Sequence, residues 1–280
     1  MRHKNNKFNY LKGNNLTSKI NINEIVDIAV KAGKIIMGHY NASIDVTYKN
    51  DKSPLTNADI SANIFICDSI ASLYQDIPIV SEESINGLKD NKPDSVFWLI
   101  DPLDGTKEFI SKNGEFTVNI ALIENGIPIL GVVHAPALDI TYFAEKNNGA
   151  FMISNGFKTK INANSGKIFN DNISVVVSRS HLDDDTKKYI ECLKTKTKTL
   201  NFLELGSSLK ICKVAEGAAD VYPRFAPTME WDTAAGHAIA LESGVLLVGL
   251  NSQQSLAYGK SDRLNEYFIC APKAFFDFYG

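Results

Sequence analysis

Cysteine is scarce: the chain holds only Cys67, Cys192, Cys212 and Cys270, with no Cys-x-x-Cys pair and no histidine at zinc spacing. That pattern excludes a disulfide framework and a structural zinc site, and it suits reduced thiols in a cytoplasm. An excess of one charge is lacking too. Lys plus Arg number 29 against 32 for Asp plus Glu, a net charge of −3, so nothing electrostatic calls for a nucleic-acid polymer as partner. Long apolar runs are missing. Val96–Ile100 and Ile127–Val133 are short and closed by polar or turn residues, far below the roughly 18 residues of a membrane helix. The N-terminal stretch Met1–Lys19 is basic and rich in Asn and Lys, without the apolar centre of a secretory signal, and residues 1–20 are expected to form a flexible extension. No internal repeat stands out, and Lys194–Lys198 reads as a solvated connection.

What is present is core material, 44% hydrophobic and 10% aromatic residues in 280, enough for one large core or two joined ones. From Asn23 to Tyr40 the residues Ile25, Ile28, Ala29, Ala32, Ile35 and Ile36 recur at helical spacing. A second helix is expected over Ala58–Leu73, with Ile60, Ile64, Cys67, Ile70 and Ala71 as its apolar stripe and Asp59 in its first turn. Short β-branched and aromatic runs follow at 77–80, 96–100, 116–123, 129–134, 140–143 and 150–153, separated by turns such as Asn125-Gly126. Residues 21–165 therefore read as an α+β unit, an antiparallel meander flanked by two helices. Past the polar stretch Asn162–Asn172 the rhythm becomes strand 173–177, helix 184–193, strand 200–203, helix 207–216, strand 219–222, helix 233–243 and strand 245–248. Such alternation predicts a smaller α/β unit over 166–280.

Chemistry concentrates at Val96–Thr106. A continuously apolar strand runs into Asp101, and Pro102 holds that residue extended. Asp104-Gly105-Thr106 then makes a tight turn from which a helix can start, so two carboxylates and a helix N-terminus converge. An Asp in such a turn also serves simply as a helix cap. Glu82-Glu83 after one strand and Asp232 at the start of a later helix add acids. If they meet Asp101 and Asp104, their repulsion requires a cation, and an all-oxygen ligand set favours Mg²⁺.

Asp51–Asp59, Ser81-Glu82-Glu83, Trp98–Phe109, Gly114–Leu122, Gly131–Pro136 and Trp231–Gly236, in this order, resemble the lithium-sensitive, metal-dependent phosphatases that include inositol monophosphatase and 3′(2′),5′-bisphosphate nucleotidase. Asp104-Gly-Thr-Lys-Glu-Phe109, Asn113–Thr117, Ser178-Arg-Ser-His181, Gly206-Ser-Ser-Leu-Lys210 and Tyr222-Pro-Arg-Phe225 look most like the bacterial nucleotidase branch. The resemblance implies a layered αβαβα sandwich of the sugar-phosphatase type. It implies that Glu82, Asp101 and the Leu103 carbonyl hold one Mg²⁺ and that Asp101, Asp104 and Asp232 hold a second, two or three ions in all. It places Asp59, Thr106 and Glu82 in the catalytic set, with Thr106 and Asp59 activating water. The N–H groups of Gly105 and Thr106 would hold phosphate, and His181, Ser207, Lys210, Arg224 and Asp232 would surround the nucleotide. The implied reaction converts 3′-phosphoadenosine 5′-phosphate to AMP and phosphate, and extends to 3′-phosphoadenylyl sulfate. An inositol or sugar phosphatase on the same scaffold is the alternative, and a catalytically silent nucleotide-binding regulator is an alternative of another class. The expected form is a monomer or homodimer in the cytoplasm, or resting peripherally on the inner face of the membrane.

Overall fold

The computed structural model describes residues 20–42, 46–48, 54–84, 95–163, 169, 171–179 and 183–279. Its elements are α1 (Ile22–Tyr40), β1 (Val46–Tyr48), β2 (Pro54–Thr56), α2 (Asn57–Leu73), β3 (Ile79–Ser81), β4 (Val96–Asp104), α3 (Thr106–Ile110), β5 (Thr117–Glu124), β6 (Ile127–Ala135), β7 (Ile140–Glu145), β8 (Gly149–Ser154) and β9 (Phe157–Ile161). There follow β10 (Asn172–Ser178), α4 (Asp184–Lys194), β11 (Thr199–Leu205), α5 (Leu209–Ala215), β12 (Tyr222–Arg224), α6 (Glu230–Ser243), β13 (Val245–Gly249), β14 (Phe268–Pro272) and α7 (Lys273–Tyr279). No described helix is long and apolar enough to cross a membrane.

Strands β3 to β9 form a seven-stranded sheet in sequence order, antiparallel except for the β3–β4 pair. Both of its faces are covered, which explains the near-continuous apolar strands. Trp98, Ile100, Ile120, Leu122 and Val132 pack with Ile25, Ile36, Ile66 and Ile70 of α1 and α2. Their strand neighbours Phe97, Leu99, Ala121, Ile123 and Val133 pack with Leu209, Ile211, Ala235 and Ile239 of α5 and α6. This period-two division is what alternating side-chain direction produces.

Beyond α5 and α6 lies a second β layer. β10 and β11 pair in parallel, β12, β14 and β13 pair antiparallel, and a Val175–Val221 bridge joins the two groups. Its outer side carries α4 and α7, where Ile173, Val175, Ile190, Leu193 and Phe275 form a third cluster. The layers therefore alternate α, β, α, β, α, as expected.

Several details correct the reading of the sequence. The buried face of α2 runs through Ala58, Ala62, Ile66 and Ile70, while Ile60 and Ile64 are 43% and 56% exposed. Small residues let α2 lie close against α1 and the sheet, so the bulkier stripe was displaced outward. Strand β9 was not anticipated, because Lys158 and Lys160 mask its pattern at the sheet edge. β14 and α7 were also missed.

Candidate active site

Asp101 and Asp104 both come from β4. Residues three apart on a regular strand face opposite sides, yet here Asp101 pairs with Asn119 and Asp104 with Thr117, two residues apart on β5. The bulge at Pro102-Leu103 absorbs one residue and returns both carboxylates to one side. Helix α6 brings the third acid. Its first turn is fixed by Met229 N–H donating to Asp232 Oδ2 at 2.8 Å and by Glu230 N–H donating to Arg263 O at 2.8 Å. Each of Asp101, Asp104 and Asp232 offers one carboxylate oxygen within 4.8 Å of the others.

Burial pushes Asp101 well above the carboxylate range, and the charges of Glu82, Asp104, Asp232 and Asp59 push it further. Asp232 is raised in the same way, by burial and then by Asp104 and Glu82. Among the described residues no Lys or Arg forms an ion pair with Asp101, Asp104 or Asp232. Crowded oxygen donors of one charge sign, Asp101 buried and Asp104 and Asp232 half-buried, fit a hard divalent cation such as Mg²⁺. Glu82 begins the 3₁₀ turn Glu82–Ser84 after β3, and its charge reaches Asp59, Asp101 and Asp232. Its carboxylate stands outside the closely spaced group of three.

Asp59 lies in the first turn of α2, where its Oδ2 accepts bonds from Thr56 N–H at 2.8 Å and from Thr56 Oγ1 at 2.6 Å. Its other oxygen, Oδ1, lies 3.3 Å from Thr106 Oγ1, which is also 3.4 Å from Leu103 O. Burial raises Asp59 despite the lowering effect of Thr56. Thr106 follows Gly105, whose φ of 90° turns the chain from β4 into α3.

A pocket of about 170 Å³ opens beside these acids, lined by Asp104, Gly105, Ser207, Lys210, Arg224 and Asp232 among others. Lys210 is buried, and desolvation holds it near pKa 8 against the opposing pull of Asp104. Its Nζ donates to Ser207 O at 2.6 Å. Arg224 donates through Nη2 to Pro227 O at 3.1 Å, while its buried Nε has no partner among the described residues. His181 lies outside the described residues.

Ser208 and Asn119 were not singled out from the sequence. Ser208 N–H donates to Asp104 Oδ2 at 2.6 Å, and Ser208 Oγ lies 2.7 Å from both Asp104 Oδ2 and Asp232 O. Asn119 Nδ2 donates to Ser208 Oγ at 2.8 Å. The only sequence signal was membership of the Gly206–Lys210 and Gly114–Leu122 motifs, where a Ser in a turn and an Asn in a strand look ordinary.

The model of the inositol monophosphatase family matches residues 20–275. The chain is 44% identical over 233 residues to the 3′(2′),5′-bisphosphate nucleotidase CysQ of Buchnera aphidicola subsp. Acyrthosiphon pisum, covering 82% of this chain and 84% of that one. Its identity to the Escherichia coli K12 protein of the same name is 45% over 225 residues, 80% and 88% of the two chains. The crystal structure of CysQ from Bacteroides thetaiotaomicron superposes with a TM-score of 0.79 at 40% identity, over 92% of this chain and 99% of that one. A Thermotoga maritima IMPase superposes with a TM-score of 0.75 at 29% identity, over 91% and 93%.

Proposed function

Because the chain belongs to the inositol monophosphatase family, we propose that it is a magnesium-dependent 3′(2′),5′-bisphosphate nucleotidase converting 3′-phosphoadenosine 5′-phosphate to AMP and phosphate. One observation carries the substrate assignment: Asp104 and Asp232 line the same pocket as Lys210 and Arg224. The acids suit the metal that meets the scissile phosphate, and the cations suit a second phosphate that an inositol monophosphate lacks.

Asp101, Asp104, Asp232, Glu82 and the Leu103 carbonyl would hold two or three Mg²⁺ ions. When bound, magnesium neutralises phosphate charge and makes a coordinated water more acidic. The protein's own part is to position and to move a proton. Thr106 Oγ1 takes a proton from the attacking water as its own passes to Asp59 Oδ1, 3.3 Å away. A carboxylate made more basic by burial suits that acceptor role. The new P–O bond forms from water, the P–O bond to the ribose breaks, and the ribose oxygen leaves as a hydroxyl after taking a proton from solvent. Gly105 and Thr106 orient the phosphate, and Ser207, Lys210, Arg224 and His181 hold the nucleotide. This reading places the enzyme in the cytoplasm as a monomer or homodimer.

Phosphate release with Mg²⁺ should be measured in parallel on 3′-phosphoadenosine 5′-phosphate, inositol 1-phosphate and fructose 1,6-bisphosphate. A clear preference for the nucleotide is expected. Equal rates would withdraw the nucleotide assignment, and nucleotide binding without any turnover would favour the regulator.

A further inference from the structure

Glu115 belongs neither to the acid set nor to the pocket lining, yet it ties two halves of the chain together. Its Oε1 accepts from Arg179 Nη2 at 2.7 Å, and its Oε2 accepts from Arg179 Nε at 3.0 Å and from the main-chain N–H of Gly206 at 2.8 Å. Arg179, just after β10, also donates to Glu204 O in β11 at 2.9 Å. One carboxylate on the loop between α3 and β5 thus grips the ends of both parallel strands. An exposed ion pair alone contributes little. Here, however, the Glu115 side chain is only 14% exposed and one of its bonds reaches the main chain.

The gripped segment has little room to adjust. A Cβ at Gly206 would stand 2.5 Å from Glu108 Cγ and 2.9 Å from Glu115 O, so the chain is pressed against the α3–β5 loop. Ser207 follows with a left-handed φ of 48°. Ser208 then touches Asp104 and the Asp232 carbonyl at once. A path of direct contacts therefore runs from Arg179 through Glu115 and the Gly206–Ser208 turn to the two acids from different layers.

We infer that the Glu115–Arg179 pair is a positioning clip: it sets the Gly206–Ser208 turn and, through Ser208, the separation of Asp104 and Asp232. The inference rests on reading that acid set as the metal site of a phosphatase. Glu115 and Arg179 act through Ser208 and need touch neither metal nor substrate.

The test reads metal affinity without substrate, as the Mg²⁺ concentration giving half-maximal thermal stabilisation, alongside kcat and KM. Glu115→Ala should raise that concentration about tenfold, the scale on which groups behind metal ligands act. Glu115→Gln keeps an oxygen for Gly206 N–H and should fall between it and the unaltered protein. Arg179→Ala should shift the value in the same direction, and the Glu115→Ala/Arg179→Ala double variant should be no worse than Glu115→Ala alone, since both act through one carboxylate. Saturating Mg²⁺ should restore kcat. If Glu115→Ala does not fold, Glu115→Gln and Arg179→Lys carry the comparison. An unchanged Mg²⁺ midpoint in a folded variant, or additive losses in the double variant, would overturn the clip. Failure of the unaltered protein to hydrolyse the nucleotide would instead remove the proposed function, because the Mg²⁺ midpoint is read independently of turnover.

Discussion

Thr106 Oγ1 lies 3.3 Å from Asp59 Oδ1, joining the first turn of α3 to the first turn of α2 across 47 residues of sequence. Asp59 already has a structural task, closing the start of its own helix through Thr56. Its two oxygens divide the work, one for the cap and one for Thr106.

Thr106→Val should therefore lower kcat by about 100-fold or more, the scale of a positioned proton acceptor, with the melting temperature little changed. Thr106→Ser should retain much of the activity. A Val variant with full turnover would remove Thr106 from the proton path.

Arg224→Ala should raise KM for 3′-phosphoadenosine 5′-phosphate by about 10- to 100-fold, from the loss of charge-assisted bonds to a second phosphate. Hydrolysis of inositol 1-phosphate should suffer much less. Steady-state kinetics on both substrates decide it, since equal losses would show that Arg224 supports the pocket without reading that phosphate.

Gly131 lies where β6 meets α6, and a Cβ there would collide with Ala235 O and stand 2.8 Å from Ala238 Cβ. Neither neighbour can swing aside as a flexible side chain could. Gly131→Ala should destabilise the protein by about 1–3 kcal/mol or more, measured as a lower urea midpoint. An unchanged midpoint would mean that α6 can ride up from the sheet.

His237 is fully buried, with Nδ1 2.9 Å from Tyr258 Oη, and burial pushes it from 6.5 down to about 3. Because the folded value is the lower one, the unfolded chain takes up the proton first as pH falls. The stability from keeping this ring neutral is fully present above pH 6.5 and is lost progressively toward about 3. His134, lowered to about 4 by burial, acts in the same direction over a narrower window. Between pH 5.5 and 4.5 the unaltered protein should lose about 1.4 kcal/mol more than His237→Gln does. Urea titrations of both proteins at each pH would give this difference, and equal losses would show that His237 protonates within the folded state.

The sheet and the strand bearing Asp101 were legible because burial on both faces leaves an unbroken apolar run at Val96–Ile100. The helix carrying Asp59 was legible in extent but not in orientation, since its inward face uses Ala58 and Ala62 where composition favours Ile60 and Ile64. Ser208 was not legible as a link between acids, because its partners lie 104 and 24 residues away and a serine in a turn has many ordinary uses. Arg179 and Glu115 were hidden similarly, each resembling a solvated charge until β10 and β11 bring their ends beside the α3–β5 loop.

The bulge at Pro102-Leu103 has a consequence for how the site can change. By taking these two residues out of the β4–β5 ladder, it leaves a main-chain oxygen, Leu103 O, 3.4 Å from Thr106 Oγ1. Leu103 O belongs to the backbone, so replacing the Leu103 side chain leaves it in place. Mutational scans that exchange side chains are blind to it, and drift in sequence cannot erase it while the chain keeps its path. Only a change in that path, such as replacing Pro102 or altering the residue count between Asp101 and Asp104, would expose its contribution.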